Sequence, residues 1–363
     1  TFKSCRNKGL IHIEEQTNSS NVVYAGGIIG LAGSGAKGKA LDMSMSDCHN
    51  EGDITRIVND MVFKSNDRTF CGGICGAIGG DNRSHGTYDN VNAMVSDCSN
   101  SGTIVFNRFS GETSFKETVL NESYTGGIAG VTNCASGYQA VVSNCGNSGN
   151  ILSTAGYNAG IVAFSNLGTR ICGEKTADGV IYTKNSGRIG MFNPDNYGET
   201  GGGYMLSGGI CACLKESSYS VAIEYCSNEG LVAASTDGKI GAGGIVADLR
   251  ISDAVQHCRN NAIVRFLPSG RCTVSNAVAT GQISGKGTDF KVRDCAVGGR
   301  YGRKGTTTAG LDKFGGDERY LFSKFIYALS SDITTQDQLD VFAPGCTWWD
   351  GVTPPDWETS SAD

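Results

Sequence analysis

The chain of 363 residues contains 53 glycines but only 5 prolines, and the glycines show no three-residue period, which excludes a collagen-like fibre. Its 30 Lys and Arg against 36 Asp and Glu give a net charge of −6, which argues against general nucleic-acid binding. No run approaches the roughly 18 apolar residues of a membrane-spanning helix.

A short unit recurs from the first residues of the chain onward, and its clearest copy is 95–104. In this copy Cys98, Asn100, Gly102 and Ile104 occupy every second position, and the residues between them are polar. A period of two is typical of an extended strand with one buried face. The cysteine position is filled in turn by Cys5, Cys48, Cys98, Cys145, Thr183, Cys226, Cys258 and Cys295, and the asparagine position by Asn7, Asn50, Asn100, Asn147, Asn185, Asn228 and Asn260.

Two more strand runs accompany this unit in each repeat. Just upstream, apolar pairs such as Ala93 and Val95 lie an odd number of residues before the cysteine, so their alternation is shifted by one residue relative to that of the first unit. Such a one-residue shift between two inward-facing runs indicates a bend. Between consecutive copies lies a glycine-rich unit such as 124–130, which predicts a third run. Successive repeats are 32–50 residues apart. The shortest segment between a glycine-rich unit and the next column cysteine is the 14 residues from Gly244 to Cys258. Fully extended, it spans only about 46 Å, which is too short to form a second coil within the same repeat.

We therefore predict an all-β fold: a right-handed, single-stranded parallel β-helix (solenoid) of about eight triangular coils over residues 1–311, with one coil per repeat. The handedness follows the preference of parallel crossover connections. Each asparagine should lie over the next, and its amide should bond its neighbour along the axis in a structural ladder beside the packed cysteines. Most cysteines are expected to be buried free thiols, and the alternative is that some form disulfides.

The composition changes at Asp312, where the repeats end and an aromatic-rich segment that includes Trp348 and Trp349 begins. An open solenoid end exposes strand edges, so residues 312–363 are predicted to be a C-terminal capping segment and tail. The alternative for this segment is an aromatic ligand platform. Because the chain begins inside a repeat, we also expect an upstream domain or anchor in the whole protein.

Few positions suggest chemistry. Asp47 and Asp97 precede the column cysteines of adjacent repeats and would lie about 5 Å apart, which suggests an acid pair or cation site, or else a solvated outer column. Residues 33–38 match the letters of a dinucleotide fingerprint, but the helix and βαβ unit that this motif needs are not predicted. A basic cluster suggests contact with an acidic glycan, or again a solvated face; it contains Lys286, Lys291, Arg293, Arg300, Arg303 and Lys304. We assign no catalytic residue, no metal and no cofactor.

The alternation of an N-C-x-N-x-G-x-I unit with a Y-x-G-G-I-x-G unit resembles the GLUG-type repeats of bacterial (Bacteroides-like) secreted or surface proteins. The resemblance covers about residues 1–299. Its clearest matches are Tyr24–Gly30, Phe70–Gly76 and Tyr124–Gly130, paired with Cys48–Ile54, Cys98–Ile104 and Cys145–Ile151. It implies a repeat solenoid at the bacterial surface or outside the cell, with a role in adhesion or glycan contact.

These observations lead us to expect a structural or adhesin-like repeat protein, located extracellularly or at the cell surface. Its expected partners are a host or microbial glycan, bound as carbohydrate, or another surface protein. The alternative is a polysaccharide lyase or glycoside hydrolase, because parallel β-helices often act on acidic polysaccharides. Such an enzyme would need carboxylates clustered on one outer face beside a basic residue or a calcium ion.

Overall fold

A computed structural model describes residues 1–14, 22–33, 39–58, 68–79, 90–109, 122–153, 156–190, 204–215, 219, 221–234, 239–249, 253–260, 262, 264–266, 277–281, 291–293, 296–297 and 301–303. These residues form strands and connections without any helix, so none of them belongs to a helix that could cross a membrane. The predicted capping segment 312–363, as well as Cys295 and Arg300, lies outside the described residues.

Five parallel sheets run along the molecule, and we name them A to E in the order in which the chain visits them. Sheet A contains Phe2–Lys3, Leu41–Ser46, Val91–Ser96, Ala140–Ser143, Thr169–Cys172, Ile223–Glu224, Asp253–Gln256 and Lys291–Arg293. Sheet B contains Arg6–Asn7, His49–Asn50, Ser99–Asn100, Gly146–Asn147, Thr183–Asn185, Cys226–Asn228, Arg259–Asn260 and Ala296–Val297. Sheet C contains Ile11–Glu14, Ile54–Val58, Ile104–Phe109, Ile151–Ser153, Ile189–Gly190, Val232–Ala234, Val264–Phe266 and Tyr301–Arg303.

The other two sheets are shorter. Sheet D contains Val22–Gly26, Arg68–Gly72, Ser123–Gly126, Tyr157–Ala159, Tyr204–Gly208, Lys239–Gly243 and Ala277–Gly281. Sheet E contains Ile29–Ala32, Cys75–Ile78, Ala129–Thr132, Val162–Ser165, Cys211–Leu214 and Val246–Leu249. A separate antiparallel hairpin pairs Glu174–Thr176 with Gly179–Ile181.

The stacking order confirms the predicted parallel β-helix. Sheets A, B and C each have eight strands, and within each sheet the neighbours follow one another in chain order. In sheet B, for example, Asn100 pairs with Asn50 on one side and with Asn147 on the other, and both pairings are parallel. The described strands therefore define eight coils, which we number 1 to 8 by the strands of sheet B.

Each of coils 1 to 6 contributes one described strand to every one of the five sheets, whereas the sequence predicted three runs. The run from cysteine to isoleucine divides into strands of sheets B and C, and the glycine-rich run divides into strands of sheets D and E. In coil 2 the chain turns between Gly72 and Cys75, where a Cβ atom on Gly72 would overlap the carbonyl oxygen of Cys75. The two strands bond to the next coil, not to each other: Gly73 N–H donates to Gly126 O at 3.2 Å and Cys75 N–H to Ile128 O at 2.9 Å. Sheets D and E therefore form a β-arch whose strands contact through their faces.

The arch lies between sheets A and C. One hydrophobic cluster joins sheet A to sheet E, for example Met45 and Val95 to Cys75. A second cluster joins sheet C to sheet D, for example Ile104 to Cys71. The layers thus follow the order A, E, D, C, with sheet B closing one end, and this layered section differs from the three-sided coil that the three runs predicted.

Candidate functional site

A column of corner residues joins sheet A to sheet B, and it explains the phase slip in the sequence. Six of these residues have φ between 50° and 55°, in the left-handed region: Ser4, Asp47, Asp97, Asn144, Tyr225 and His257. A single residue in this conformation changes the direction of the strand. Asp and Asn adopt the left-handed region more readily than most other residues do. Sequence reasoning treated this position as an outer surface column and missed its backbone role. The equivalent Asp294 lies outside the described residues.

The cysteine that follows each corner donates its thiol hydrogen back across the bend. The Sγ of Cys98 lies 3.2 Å from Ser96 O, and the Sγ of Cys145 lies 3.2 Å from Ser143 O. In coil 5 the hydroxyl of Thr183 donates to Cys172 O at 2.5 Å, and Cys172 is the register partner of Ser143. This column therefore accommodates small side chains that carry a hydrogen-bond donor, which accounts for the threonine among the cysteines.

The described cysteines are all free thiols: Cys5, Cys48, Cys71, Cys75, Cys98, Cys134, Cys145, Cys172, Cys211, Cys213, Cys226 and Cys258. Burial raises the pKa of Cys75 to about 12, and burial likewise raises the pKa values of Cys71, Cys145 and Cys211 well above their usual range. Because the thiolate is the reactive form, these buried thiols are unreactive at neutral pH.

The asparagines form a continuous ladder through coils 1 to 7. The amide Nδ2 of Asn100 donates to Asn147 Oδ1 at 2.8 Å and to Gly102 O at 2.9 Å, while its Oδ1 accepts from Asn50 Nδ2 at 2.7 Å. The pattern repeats at Asn7, Asn50, Asn147, Asn185 and Asn228, and ends at Asn260. In coil 8 the register partner of Asn260 is Val297, so the ladder stops there. Every donor in the ladder faces the C-terminal direction, which makes the ladder polar.

The outer face of sheet B carries a hydrogen-bonded chain that spans three coils. The Ser4 hydroxyl donates to Asp47 Oδ2 at 2.7 Å, His49 Nε2 lies 2.9 Å from Asp47 Oδ1, and His49 Nδ1 lies 2.7 Å from Ser99 Oγ. These two partners, the Ser4 hydroxyl first, hold the pKa of Asp47 below its usual range. The carboxylate of Asp47 thus bonds Ser4 and His49, and no group of three His, Cys, Asp or Glu side chains in the described part of the chain could hold a metal ion.

Asp47, His49 and Ser99 are connected in the order of the orienting acid, the base and the nucleophile of a serine hydrolase. Acyl transfer also needs hydrogen-bond donors for the oxyanion. The backbone N–H groups around this serine are already bonded within sheet B: Ser99 N to Cys48 O, Ser101 N to Asn50 O and Gly146 N to Cys98 O, all at 2.8–2.9 Å. These three N–H groups are therefore engaged in the sheet and are not available to an oxyanion. The arrangement acts as a clasp between coils 1, 2 and 3.

Charged side chains on this face pair between neighbouring coils. Arg6 Nε lies 3.2 Å from Glu51 Oε1, and Lys184 Nζ lies 2.6 Å from Glu229 Oε2. On sheet A, Arg170 Nη2 lies 2.7 Å from Glu224 Oε2. Each of these carboxylates therefore has a cationic partner; Glu51 lies in coil 2, whereas Glu224 and Glu229 lie in coil 6 beside sheets A and B.

The predicted basic cluster is divided by the fold. Lys291 and Arg293 lie on one strand of sheet A, whereas Arg303 lies on a strand of sheet C. Lys286, Arg300 and Lys304 lie outside the described residues. Of the six cations in the predicted cluster, the backbone thus brings Lys291 and Arg293 together on one strand and places Arg303 on another sheet.

An aromatic column that the sequence reading did not single out runs along sheet D. The rings of Tyr24, Phe70, Tyr124 and Tyr157 stack in succession, with centroids 4.9, 5.3 and 4.8 Å apart. Phe164 of sheet E meets the edges of the last two. Because neighbouring rings cover each other's faces, this column packs the arch and leaves few faces for a sugar. The aromatic residue at the start of the glycine-rich unit in the first four repeats was the available signal.

In comparisons with known protein families, curated proteins and solved structures, nothing matches this chain, so its resemblance to GLUG-type repeats stays a prediction from the sequence.

Proposed function

We propose that this chain is a bacterial secreted or cell-surface rod with a structural and adhesin-like role, which contacts a glycan or a surface protein through the outer face of sheet B. The observation that carries the proposal is one exposed row on that face, formed by Lys8, Glu51, Ser101, Ser148, Ser186 and Glu229. Parallel strands repeat every 4.8 Å or so, so the row offers hydroxyl and charged groups at a regular spacing. A regular row suits a partner that itself repeats, as a polysaccharide does.

The rigidity of the rod supports the same proposal. Coils 1 to 6 are tied to one another by backbone bonds in all five sheets and by the asparagine ladder, so the three central serines are held at a constant spacing. A pre-organised surface loses little entropy when it binds. The paired and scattered carboxylates of the described residues favour this role over the alternative of a polysaccharide lyase or glycoside hydrolase, which would need them to converge.

The test is a glycan-array screen with the purified chain, combined with an assay for reducing ends and unsaturated products on the bound glycans. We expect binding without product release. Ser148→Trp places a bulky ring in the middle of the row and should weaken binding at least tenfold. Asp178→Trp, on the exposed turn of the hairpin, is the matched control and should bind as the parent does.

Three results would count against the proposal. Product release would favour the enzyme alternative. Equal weakening by Ser148→Trp and Asp178→Trp would remove sheet B as the contact surface. If no glycan binds, the same two variants are compared for capture of surface proteins, and the absence of both kinds of binding refutes the adhesive role.

A further inference from the structure

The cysteine column places thiols directly over one another in consecutive coils. Cys98 precedes Ser99 in coil 3, and the parallel register of sheet B places it between Cys48 of coil 2 and Cys145 of coil 4. All three side chains are buried free thiols. In coil 5 the same position holds Thr183, which interrupts the column. Coils 2 to 4 therefore contain an unbroken stack of buried thiols.

The sulfur atoms of this stack occupy equivalent places. Each Sγ lies near one carbonyl oxygen of its own coil and one of the preceding coil. These oxygens are Ser96 O at 3.2 Å and Met45 O at 3.8 Å for Cys98, and Ser143 O at 3.2 Å and Val95 O at 3.6 Å for Cys145. Because the surroundings repeat from coil to coil, the sulfur atoms of Cys98 and Cys145 are separated by the strand spacing of about 4.8 Å.

This spacing suits a metal ion that takes two ligands in line. A metal–thiolate bond is about 2.3 Å long, so two of them in line span roughly 4.6 Å. Side chains stand roughly perpendicular to a sheet, so the Cβ–Sγ bonds lie across the rod axis and a lone pair of each sulfur can be directed along it. Thiolates select soft ions such as copper(I). A tetrahedral zinc site would need more ligands, and the described residues contain no group of three that could hold a metal ion.

The protonation of the pair is compatible with a buried monovalent ion. When Cys98 is ionised, the Cys145 thiol donates to its sulfur, and this hydrogen bond lowers the pKa of Cys98 although burial opposes the change. Burial instead raises the pKa of Cys145. The proton of Cys98 is therefore the first to be lost. A monovalent cation in its place leaves the pair neutral, so no net charge is added to the apolar core.

The surface next to the stack attracts cations. Cys48 and Cys98 each follow an exposed corner carboxylate, Asp47 and Asp97. Carboxylates of like sign along one edge raise the local concentration of cations. A disulfide is a poorer use of the same thiols, because it needs Cβ atoms about 3.5–4.5 Å apart, less than the strand spacing of about 4.8 Å.

We propose that Cys98 and Cys145 bind one soft monovalent metal ion, such as copper(I), in line between their sulfur atoms. The ion replaces the proton of Cys98, which passes to the solvent, and no electron is transferred. The site lies inside the rod, and it does not depend on the contact that the outer face of sheet B makes in the proposed function.

Silver(I) is the probe, because it is soft, monovalent and stable in air. The reduced full chain is titrated with silver(I), and native mass spectrometry counts the bound ions. We expect proton release on binding and, at one ion per chain, two sulfur neighbours in X-ray absorption.

Cys98→Ser should remove at least one bound ion. The serine hydroxyl keeps a hydrogen donor at this position, as Thr183 does in coil 5, so we expect the fold to be retained. Cys75→Ser is the matched control, because Cys75 is a buried thiol whose register partners are Ile29 and Ala129. The control should leave the number of bound ions unchanged.

Thr183→Cys tests the same geometry by addition. It places a thiol between Cys145 and Cys226 and should add at least one bound ion. Circular dichroism of the three variants checks that each keeps the fold of the parent.

The proposal is overturned if the reduced chain binds no silver(I) at micromolar concentration, or if X-ray absorption shows a single sulfur neighbour. Equal effects of Cys98→Ser and Cys75→Ser on the number of bound ions also overturn it. So does an unchanged number of bound ions in the folded Thr183→Cys variant.

Discussion

Replacing Asn100 by alanine in the middle of the ladder should lower the free energy of unfolding by about 3–6 kcal/mol. The side chain is 1% exposed and makes three hydrogen bonds, to Asn50, Gly102 and Asn147. Its removal leaves three buried groups without their partner: the Nδ2 hydrogen of Asn50 and the oxygens of Gly102 and Asn147. Each buried group that loses its partner costs roughly 1–3 kcal/mol. We expect the total for the three groups to lie toward the lower end of their sum, because water that enters the vacated space replaces some of the hydrogen bonds.

The matched control is Asn7→Ala at the upstream end of the same ladder. Asn7 is half-buried, so water can satisfy the groups that it leaves, and we expect a loss of about 1 kcal/mol. Denaturant unfolding followed by circular dichroism measures both losses, and amide exchange at Asn50 and Gly102 reports on the ladder itself. If Asn100→Ala and Asn7→Ala differ by less than about 1 kcal/mol, the ladder is not the stabilising element that its geometry indicates.

Three further predictions follow from the corners and the thiols. Cys75 has its pKa raised to about 12, so its contribution to stability is complete below the pKa of about 8.5 of an unfolded cysteine and is lost as pH rises from there toward 12. Cys75→Ala should therefore flatten the fall in unfolding free energy over that range, and an unchanged slope contradicts this. Asp97 has φ of 55°, so Asp97→Val should cost about 1–2 kcal/mol, whereas Ser101→Val on the exposed row should cost much less; equal losses on denaturation would argue against backbone strain at the corner. Ser4→Ala removes the first cause of the lowered pKa of Asp47, so that pKa should rise in a carbon-13 NMR titration, and no rise would show that the Ser4 hydroxyl is not its partner. Because the pKa is depressed in the folded chain, the stabilisation by Ser4 is present above the unfolded pKa and is lost as pH falls through the folded one.

The parallel stacking was predictable because two independent patterns agreed. A period of two indicated strands, and the return of the same residues indicated that successive strands occupy equivalent positions. The pairing of Asn100 with both Asn50 and Asn147 follows from those two facts. Nothing about the register needed long-range information, because each coil is a near-copy of the last.

The corner conformation was not predictable from side-chain type. Ser4, Asp97, Tyr225 and His257 share no chemistry, and what they have in common is a backbone φ near 50°. The sequence indicated a bend through the change of phase, but a phase change is compatible with several kinds of bend. Only the backbone identified this one.

The clasp of Asp47, His49 and Ser99 was also missed. The two aspartates, Asp47 and Asp97, were considered together because they occupy the same position in adjacent repeats. The structure instead joins Asp47 to His49, two residues along the same coil, and His49 to Ser99 in the next coil. Side-chain length and direction at a corner decide such contacts, and neither can be read from repeat positions.

The sequence by itself determined the strand character, the parallel order, the number of coils and the residues that lie above one another, because these depend on local periodicity and on repetition. The tertiary structure alone decided that sheets D and E double back as an arch and fill the space between sheets A and C. A glycine pair such as Gly72 and Gly73 permits a sharp turn but does not say what lies on either side of it. The position of sheets D and E depends on which apolar faces pack against each other, and these faces meet only when the whole coil has formed.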